Sequence, residues 1–372
     1  MNAINRKPAE WIENIRIEKG IIPQSKMIKE DNLPIFLWGC GALAIQVYEF
    51  CKEYGINIEG CFVDIEVKKE DFEGLHIFKL DQLVEKNSKF SVIIGHSNYA
   101  EGVKKLKRIN NIKNIYCLST ICYNKADLVS PSFLKNKYWV LNDLYSDLQD
   151  EKSKECLTAY FESRINDKAE YMFSYFDKGM NYYINDVINL NKNETLLDIG
   201  ACTGSAIWSF VEAVQGIYKS VVALEPDKDN YSSLISNIEE RDIKNIVVKQ
   251  ICAYNKNTYV HFDGNRESGG INETSPTYQL YPAATIDSLR EEINELLDVT
   301  IIKINFAFSV SEVLEGAKKL LQERKPQLII RIGFDENVMI NTYLSIKKIN
   351  PTYKLYLRYS IGIPQGLTIF AI

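Results

Sequence analysis

Residues 195–210 read TLLDIGACTGSAIWSF: an apolar run that ends at Asp198, a short segment with Gly200 and Gly204, and a helical stretch from about Ser205. A strand that stops at a carboxylate, turns on glycines and re-enters a helix presents backbone amides at a helix N-terminus and lets a ligand approach closely. Twenty-seven residues beyond Asp198, the next apolar run, SVVAL, ends in Glu225, followed by Pro226 and Asp227. A carboxylate at that strand end can accept hydrogen bonds from both hydroxyls of a ribose.

The segment has neither the Lys-Ser/Thr pair of a phosphate-binding loop nor the G-x-G-x-x-G spacing. The implied ligand is a nucleoside without a pyrophosphate, such as S-adenosylmethionine. Alone, an apolar strand ending in Asp-x-Gly is as often a mere tight turn of an α/β sheet; Glu-Pro-Asp at the next strand end argues against that reading.

The same alternation continues to the C-terminus, where NIVVKQICAY, TIIKINF, QLIIRIG and GLTIFAI are apolar runs expected to be strands of one sheet. A separate series lies nearer the N-terminus: IFLWG, IEGCFVD, FSVIIG and IKNIYCL, alternating with IQVYEFCKEYG and a Lys-rich helix near 101–109. Strands alternating with helices imply parallel sheets. Between the two series DLYSDLQDEKSKECLTAYFESRIND has helical periodicity, many charges and no strand signal. The expected fold class is therefore α/β, with two doubly wound Rossmann-like domains joined by a helical connector. The expected boundaries are 1–130, 131–180 and 181–372. Ahead of them, Trp11, Ile12 and Ile15 suggest a short amphipathic helix packed on the body.

With 372 residues the chain exceeds one ordinary core and suits two. Its 46% apolar and 25% charged residues mark a packed globular protein. A net charge of −5, with Lys and Glu interspersed, gives no continuous positive field, so nucleic acid is not an expected partner. No run is long and uncharged enough to span a bilayer and no apolar leader opens the chain, which places it in the cytoplasm as an expectation. The eight cysteines form no C-x-x-C pair, and there are three histidines, His76, His96 and His261. Neither a disulfide framework nor a metal site is readable, and no metal is expected.

On the residues quoted, the chain resembles the FkbM family of methyltransferases. That family's first motif, D-x-G-A-x-x-G, is matched by Asp198-Ile199-Gly200-Ala201-Cys202-Thr203-Gly204, and its second by Glu225-Pro226. The resemblance continues through Leu234 and Asn237, Ala253, Thr285-Ile286-Asp287 and Leu314-Glu315-Gly316-Ala317. The stretch from Asp150, with Tyr175-Phe176, also resembles the segment ahead of the core in two-domain members. The resemblance implies a class I methyltransferase fold for the C-terminal domain. It implies S-adenosylmethionine as cofactor, held by Asp198, Gly200, Ala201, Cys202, Gly204, Glu225, Pro226, Asp227 and Ala253.

The family's K-I-D-V-E-G-A-E lies over Lys303-Ile304-Asn305-Phe306-Ala307-Phe308-Ser309-Val310, where the Asp, both Glu and the Gly are replaced. Arg331 stands where the family usually has an acid, so the pocket mouth is expected to be less negative and to suit an anionic acceptor. Methyl transfer is an in-line displacement that needs mainly alignment, and an amine that arrives deprotonated needs no strong base. Asn305 and Arg331 as catalytic candidates thus tilt the reading toward N-methylation of an amino-acid-like or phosphorylated acceptor. If a base is needed, His261, Asp263 and Glu267 cluster in YVHFDGNRESGGINE, read as a polar surface loop, and Tyr182 and Tyr183 lie upstream. Acceptors in the family are often sugars of surface glycans, glycoprotein modifications or secondary metabolites, which implies glycan decoration as the setting.

In the first series, Gly39-Cys40-Gly41-Ala42-Leu43-Ala44 follows a strand and precedes a helix, and Asp64 ends the next strand, as in a dinucleotide fingerprint. The domain is also similar to the small Rossmann-type domain beside FkbM-type enzymes. Positioning, dimerisation or acceptor recognition is its favoured role, and self-association into a homo-oligomer stays open. Two rival readings remain: a scaffold that binds S-adenosylmethionine without turnover, and an oxidoreductase using NAD at Gly39–Ala44.

Overall fold

The computed structural model describes residues 10–63, 71–96, 99–118, 128–176, 182–183, 186–263, 270–271, 279–305, 310–333, 335–360 and 366–372. The chain divides into two compact units, one of Met1–Asn142, Lys154–Lys178 and Gly362–Gln365, the other of Asp143–Ser153, Gly179–Ile361 and Gly366–Ile372. The helical stretch between the strand series is shared between them, since the helix Glu151–Asn166 begins in the second unit and belongs to the first from Lys154 on. Among the described residues no helix is long and apolar enough to cross a membrane.

In the first unit β1 (Ile35–Trp38), β2 (Gly60–Val63), β3 (Asp71–Phe72), β4 (Leu75–Lys79), β5 (Phe90–Ile94) and β6 (Ile112–Tyr116) form a sheet in the order β3-β4-β2-β1-β5-β6. All pairs are parallel except β3 with β4. Consecutive residues of a strand face opposite sides, and each side of β1 meets a helix. On the side of Leu37 the helix Ala42–Glu53 packs so closely that a Cβ on Gly95 would lie 2.8 Å from Leu37 Cδ1 and 3.0 Å from the Ala44 backbone. On the side of Trp38, a Cβ on Gly102 of the helix Tyr99–Leu106 would fall 1.9 Å from the indole. The sheet is doubly wound, as expected. Gly39 has φ 121°, and its missing Cβ would overlap the Gly95 carbonyl at 2.6 Å, so packing alone demands glycine there. Asp64 lies outside the described residues. The N-terminal helix Glu10–Glu13 buries Trp11, whose ring packs on Phe161 of the same unit.

In the second unit the large sheet holds β7 (Thr195–Ile199), β8 (Ser220–Leu224), β9 (Ile246–Lys249), β14 (Ile301–Ile304), β15 (Gln327–Arg331), β16 (Leu355–Tyr359) and β17 (Leu367–Ala371). Its order is β16-β17-β15-β14-β7-β8-β9, with β17 antiparallel to both neighbours and the other pairs parallel. This is the class I methyltransferase topology. Strands β7, β8 and β14 are buried along their whole length, which is why they read as unbroken apolar runs.

A smaller sheet follows the order β10-β13-β11-β12, from β10 (Cys252–Ala253), β11 (Thr258–Asp263), β12 (Gly270–Ile271) and β13 (Gln279–Ala284). Here the structure corrects two sequence expectations. NIVVKQICAY is not one strand: Ile246–Lys249 joins the large sheet, and Cys252–Ala253 pairs with β13 in the small one. The stretch read as a polar loop begins as β11, in which Tyr259, His261 and their cross-strand partners Pro282 and Leu280 alternate with the core residues Val260 and Tyr281.

Strand β16, at the sheet edge, drew no expectation. Its outer edge is satisfied by Gln149, whose N–H donates to the Leu355 carbonyl, and by Ser153, whose hydroxyl accepts from Leu357 N–H. Beside them Arg358, 1% exposed, donates to both carboxylate oxygens of Asp150 and both of Asp186. Burial pushes the Asp150 carboxyl up, but hydrogen bonds from Arg358 and Ser153 outweigh it and hold the group at about 2.

A depressed carboxyl stabilises the fold above its unfolded value of 3.8 and loses that contribution as pH falls toward about 2. Arg358→Met is therefore expected to lower stability at pH 7 by about 2 kcal/mol, less than for a fully buried pair because both carboxylates keep contact with water. Urea unfolding of the variant should also show a shallower loss of stability between pH 4 and pH 2 than the wild type.

Candidate active site

The carboxyl ends of the central strands carry the site. After β9 the chain returns to the other side of β7 through β14, so the strand order reverses between β7 and β14, the place where open α/β sheets bind ligands. In register, Ala223, Asp198, Lys303 and Ile329 stand side by side on β8, β7, β14 and β15. Two residues further along come Glu225, Gly200 and Asn305, each just past the end of its strand, and Arg331, the last residue of β15. Four of the residues singled out by sequence thus form one row, with Asp198 in the row below.

Asp198 and Lys303 are both fully withdrawn from water, and Lys303 Nζ stands 3.2 Å from Asp198 Oδ1. Neither carboxylate oxygen has a well-aligned hydrogen bond among the described residues, so the contact is one of charge. The Tyr182 ring lies beneath the ammonium, 5.5 Å from centroid to Nζ. Burial pushes the Asp198 carboxyl up and Lys303 pulls it back; the net direction is upward. Tyr183, wholly buried, is pushed well up by burial and then by the neighbouring Asp198 charge. Sequence reasoning treated Lys303 only as a motif match. The available signal was a lysine inside the apolar run TIIKIN, opposite an aspartate in TLLDI.

Past Asp198, Gly200 turns with φ 75°, and a Cβ there would lie 3.5 Å from the Asn305 Cβ. Cys202 takes the left-handed region at φ 51° and donates its N–H to Glu225 Oε2 at 2.7 Å. Glu225 Oε1 accepts from Asp227 N–H at 3.0 Å. The carboxylate thus ties the glycine segment to the end of β8, and the Asn230 side chain donates to it as well. Glu225 is 3% exposed, and burial pushes it up to about 7 despite these donors. Cys252 of β10 lies close by, raised to about 12 by burial and by the Glu225 charge. The helix Ser205–Ala213 starts on Gly204, at φ 102°, with no side-chain cap, so its first-turn amides have neither an intrahelical nor a capping side-chain acceptor.

The other motif residues are scaffold. Asp227 caps the helix Lys228–Glu240 by accepting from Asp229 and Asn230 N–H. Asn237 donates to the Thr203 carbonyl and holds the glycine segment from above. Thr285 caps one helix, and Asp287 accepts from the N–H groups of Lys319 and Leu320 at the start of another. Gly316 leaves no room for a side chain, since its Cβ would fall 1.9 Å from the Tyr254 carbonyl. Ala253 is buried on β10, paired with Ala284. His261 sits on β11 of the small sheet, so it belongs to a different element from the row formed by Asn305 and Arg331. Glu267 and residues 306–309 lie outside the described residues.

No family model matches the sequence, and no curated protein matches it. Among solved structures, the methyltransferase FkbM from Methylobacillus flagellatus aligns with 98% of this chain and 97% of its own, at a TM-score of 0.69 and 16% identity. The chain therefore shares the fold of an FkbM methyltransferase over its whole length. Aeropyrum pernix fibrillarin with bound S-adenosylmethionine aligns with 50% of this chain and 70% of its own at a TM-score of 0.34 and 11% identity. A precorrin-6y C5,15-methyltransferase from Geobacter metallireducens aligns with 49% and 81% at a TM-score of 0.33 and 10% identity. These two carry no weight in the assignment, which rests on the first.

The Asp198–Lys303 pair is open to a direct test. Lys303→Met leaves a buried carboxylate without its cation and is expected to cost about 3–5 kcal/mol in urea unfolding. The double variant Asp198→Asn/Lys303→Met should recover most of that loss, because a neutral pair carries no desolvated charge.

Proposed function

We propose that the chain is an S-adenosylmethionine-dependent methyltransferase of FkbM type, with residues 181–372 as its catalytic domain. The observation that carries this reading is Glu225: a buried carboxylate at the end of the strand beside the switch point, tied to the glycine segment yet with lone pairs to spare. A ribose hydroxyl fits that capacity. The uncapped amides at Ser205 suit a carboxylate, and Asp198 keeps an oxygen without a hydrogen-bond partner among the described residues. The donor set therefore fits the cofactor at both its nucleoside and amino-acid ends. Bound there, S-adenosylmethionine supplies an electrophilic methyl group on a sulfonium.

In this reading the protein's part is alignment and field. Glu225, Gly200, Ala201, Cys202, Gly204, Pro226 and Ala253 fix or border the nucleoside, while Asp227 acts through the helix it caps. Asn305 and Arg331 face the acceptor from the next two strand ends. Arg331 pairs an anionic group of the acceptor, phosphate or carboxylate, and Asn305 orients a nucleophile that arrives without its proton, which favours an amine. Where a base is needed, His261 or Glu267 supplies it. The first unit positions the acceptor or a second copy of the chain, and the setting is glycan decoration in the cytoplasm.

Calorimetric titration with S-adenosylmethionine, S-adenosylhomocysteine and NAD tests the core of this reading. Binding of the first two supports it; binding of NAD alone would move the active sheet to the first unit and sink it. Glu225→Ala is expected to weaken S-adenosylmethionine about tenfold or more, the worth of its charged hydrogen bonds.

Because the hydrogen bonds favour the ionised carboxylate, wild-type affinity should rise as pH climbs from 6 to 8 through the Glu225 value of about 7, and the Ala variant should not share the rise. Once an acceptor is in hand, Arg331→Ala should raise its KM about tenfold and leave cofactor affinity unchanged. An acceptor with no negative group would contradict that part.

A further inference from the structure

The segment between β7 and the helix Ser205–Ala213 has much conformational freedom to lose, because Gly200 and Gly204 both stand at positive φ, 75° and 102°. Its first half is tied to β8: Gly200 and Ala201 N–H donate to the Leu224 carbonyl, and Cys202 N–H donates to Glu225. Its second half, Thr203 and Gly204, is held from elsewhere. Asn237 donates to the Thr203 carbonyl at 2.9 Å. Over Gly204 lies the indole of Trp208, since a Cβ on that glycine would fall 2.3 Å from Cζ2 and 2.8 Å from Cε2 and Cη2. Helical side chains lean toward the N-terminus of their helix, so Trp208, one turn in, is placed to cover the glycine.

Behind the indole stands Arg241, its guanidinium carbon 5.1 Å from the ring centroid. Asn237 and Arg241 are four residues apart at the end of the helix Lys228–Glu240 and so share one face of it. One of them holds Thr203 directly, and the other holds Gly204 through Trp208. Trp208 is half-buried and Arg241 exposed, so the pair lies outside the core and what it covers is the glycine. Both residues also lie outside the motifs that resemble the FkbM family.

We propose that Trp208 is a positioning residue for the cofactor. Its ring, backed by Arg241, fixes the Gly204 turn and with it the first amides of the following helix, which take the carboxylate of the cofactor's amino-acid end. This rests on the S-adenosylmethionine reading given above and deepens it. The nucleoside end meets the half of the segment that β8 and Glu225 hold. Trp208 acts through Gly204 and takes no part in the transfer itself.

The test uses two ligands that share adenosine and sulfur and differ in the amino-acid end, S-adenosylhomocysteine and 5′-methylthioadenosine, titrated into the full chain. Trp208→Ala frees the turn. It is expected to weaken S-adenosylhomocysteine about 5- to 30-fold, the cost of fixing one residue's backbone at each binding event, and to leave 5′-methylthioadenosine within about twofold. Trp208→Phe keeps a flat ring over Gly204 and should restore most of the S-adenosylhomocysteine affinity. Arg241→Met, a surface change, should weaken the same ligand about two- to fivefold, the worth of an exposed cation–π contact.

Equal weakening of both ligands by Trp208→Ala, no weakening of either, or no recovery in Trp208→Phe overturns the assignment and leaves the ring a packing contact. If Trp208→Ala does not fold, Arg241→Met decides the matter: selective loss supports the role, and unchanged affinity for both ligands overturns it. Glu225→Ala should weaken both ligands, which reports on the nucleoside end separately. A wild-type chain that binds neither refutes the cofactor reading itself and, with it, the role of Trp208.

Discussion

An ammonium and a carboxylate shut away from water on neighbouring strands set the frame for everything above them. Removing each ion from water costs several kcal/mol, and only mutual contact offsets it. That contact exists in one register. Sliding β14 by one residue against β7 would put Lys303 on the opposite face and leave two bare charges in the core. The same register that joins Asp198 to Lys303 also places Gly200 beside Asn305 two residues further on. The position of the strand ends is thus locked from beneath, by a polar contact inside an otherwise apolar sheet.

Around this frame, most residues shared with the FkbM motifs hold elements in place and have no free functional group to offer. Asn237 ties a helix to the glycine segment, Asp287 starts another helix, and Gly316 permits a helix to touch the chain after β10. Their retention speaks to fold, in keeping with a structural match that spans both chains almost entirely. The departures, Asn305 and Arg331, fall at the ends of β14 and β15.

What could be read from sequence follows from burial. Strands β7, β8, β14 and β15, covered on both faces, announce themselves as apolar runs, and the carboxylates that end two of them stand out against that background. Strand β16 escapes because its charge is cancelled from elsewhere: Arg358 looks like a surface residue until Asp150 and Asp186, far away in sequence, are brought to it. The small sheet escapes because one face of its hairpin is solvated, with Tyr259 and Leu280 exposed and Pro282 breaking the strand pattern. Lys303 is the instructive miss. A lysine is read as exposed by default, and only pairing across strands reveals that this one is buried against Asp198.

The electrostatics of the row bear on what can be methylated there. The Asp198–Lys303 pair contributes no net charge, and Glu225 is near half-ionised at neutral pH before any ligand arrives. On the proposed reading, Arg331 then sets the sign at the acceptor side. A cationic cofactor entering such a site is favoured when Glu225 loses its proton, so cofactor and proton compete for the same carboxylate. After transfer, the sulfonium charge is gone from the cofactor, and an amine acceptor has gained it as an ammonium. On the proposed reading, an anionic group held by Arg331 on the same acceptor keeps that newly formed cation near neutrality. The replacement of the family's acids by Asn305 and the presence of Arg331 are then two parts of one electrostatic proposal, in which the acceptor brings the negative charge that these two positions no longer carry.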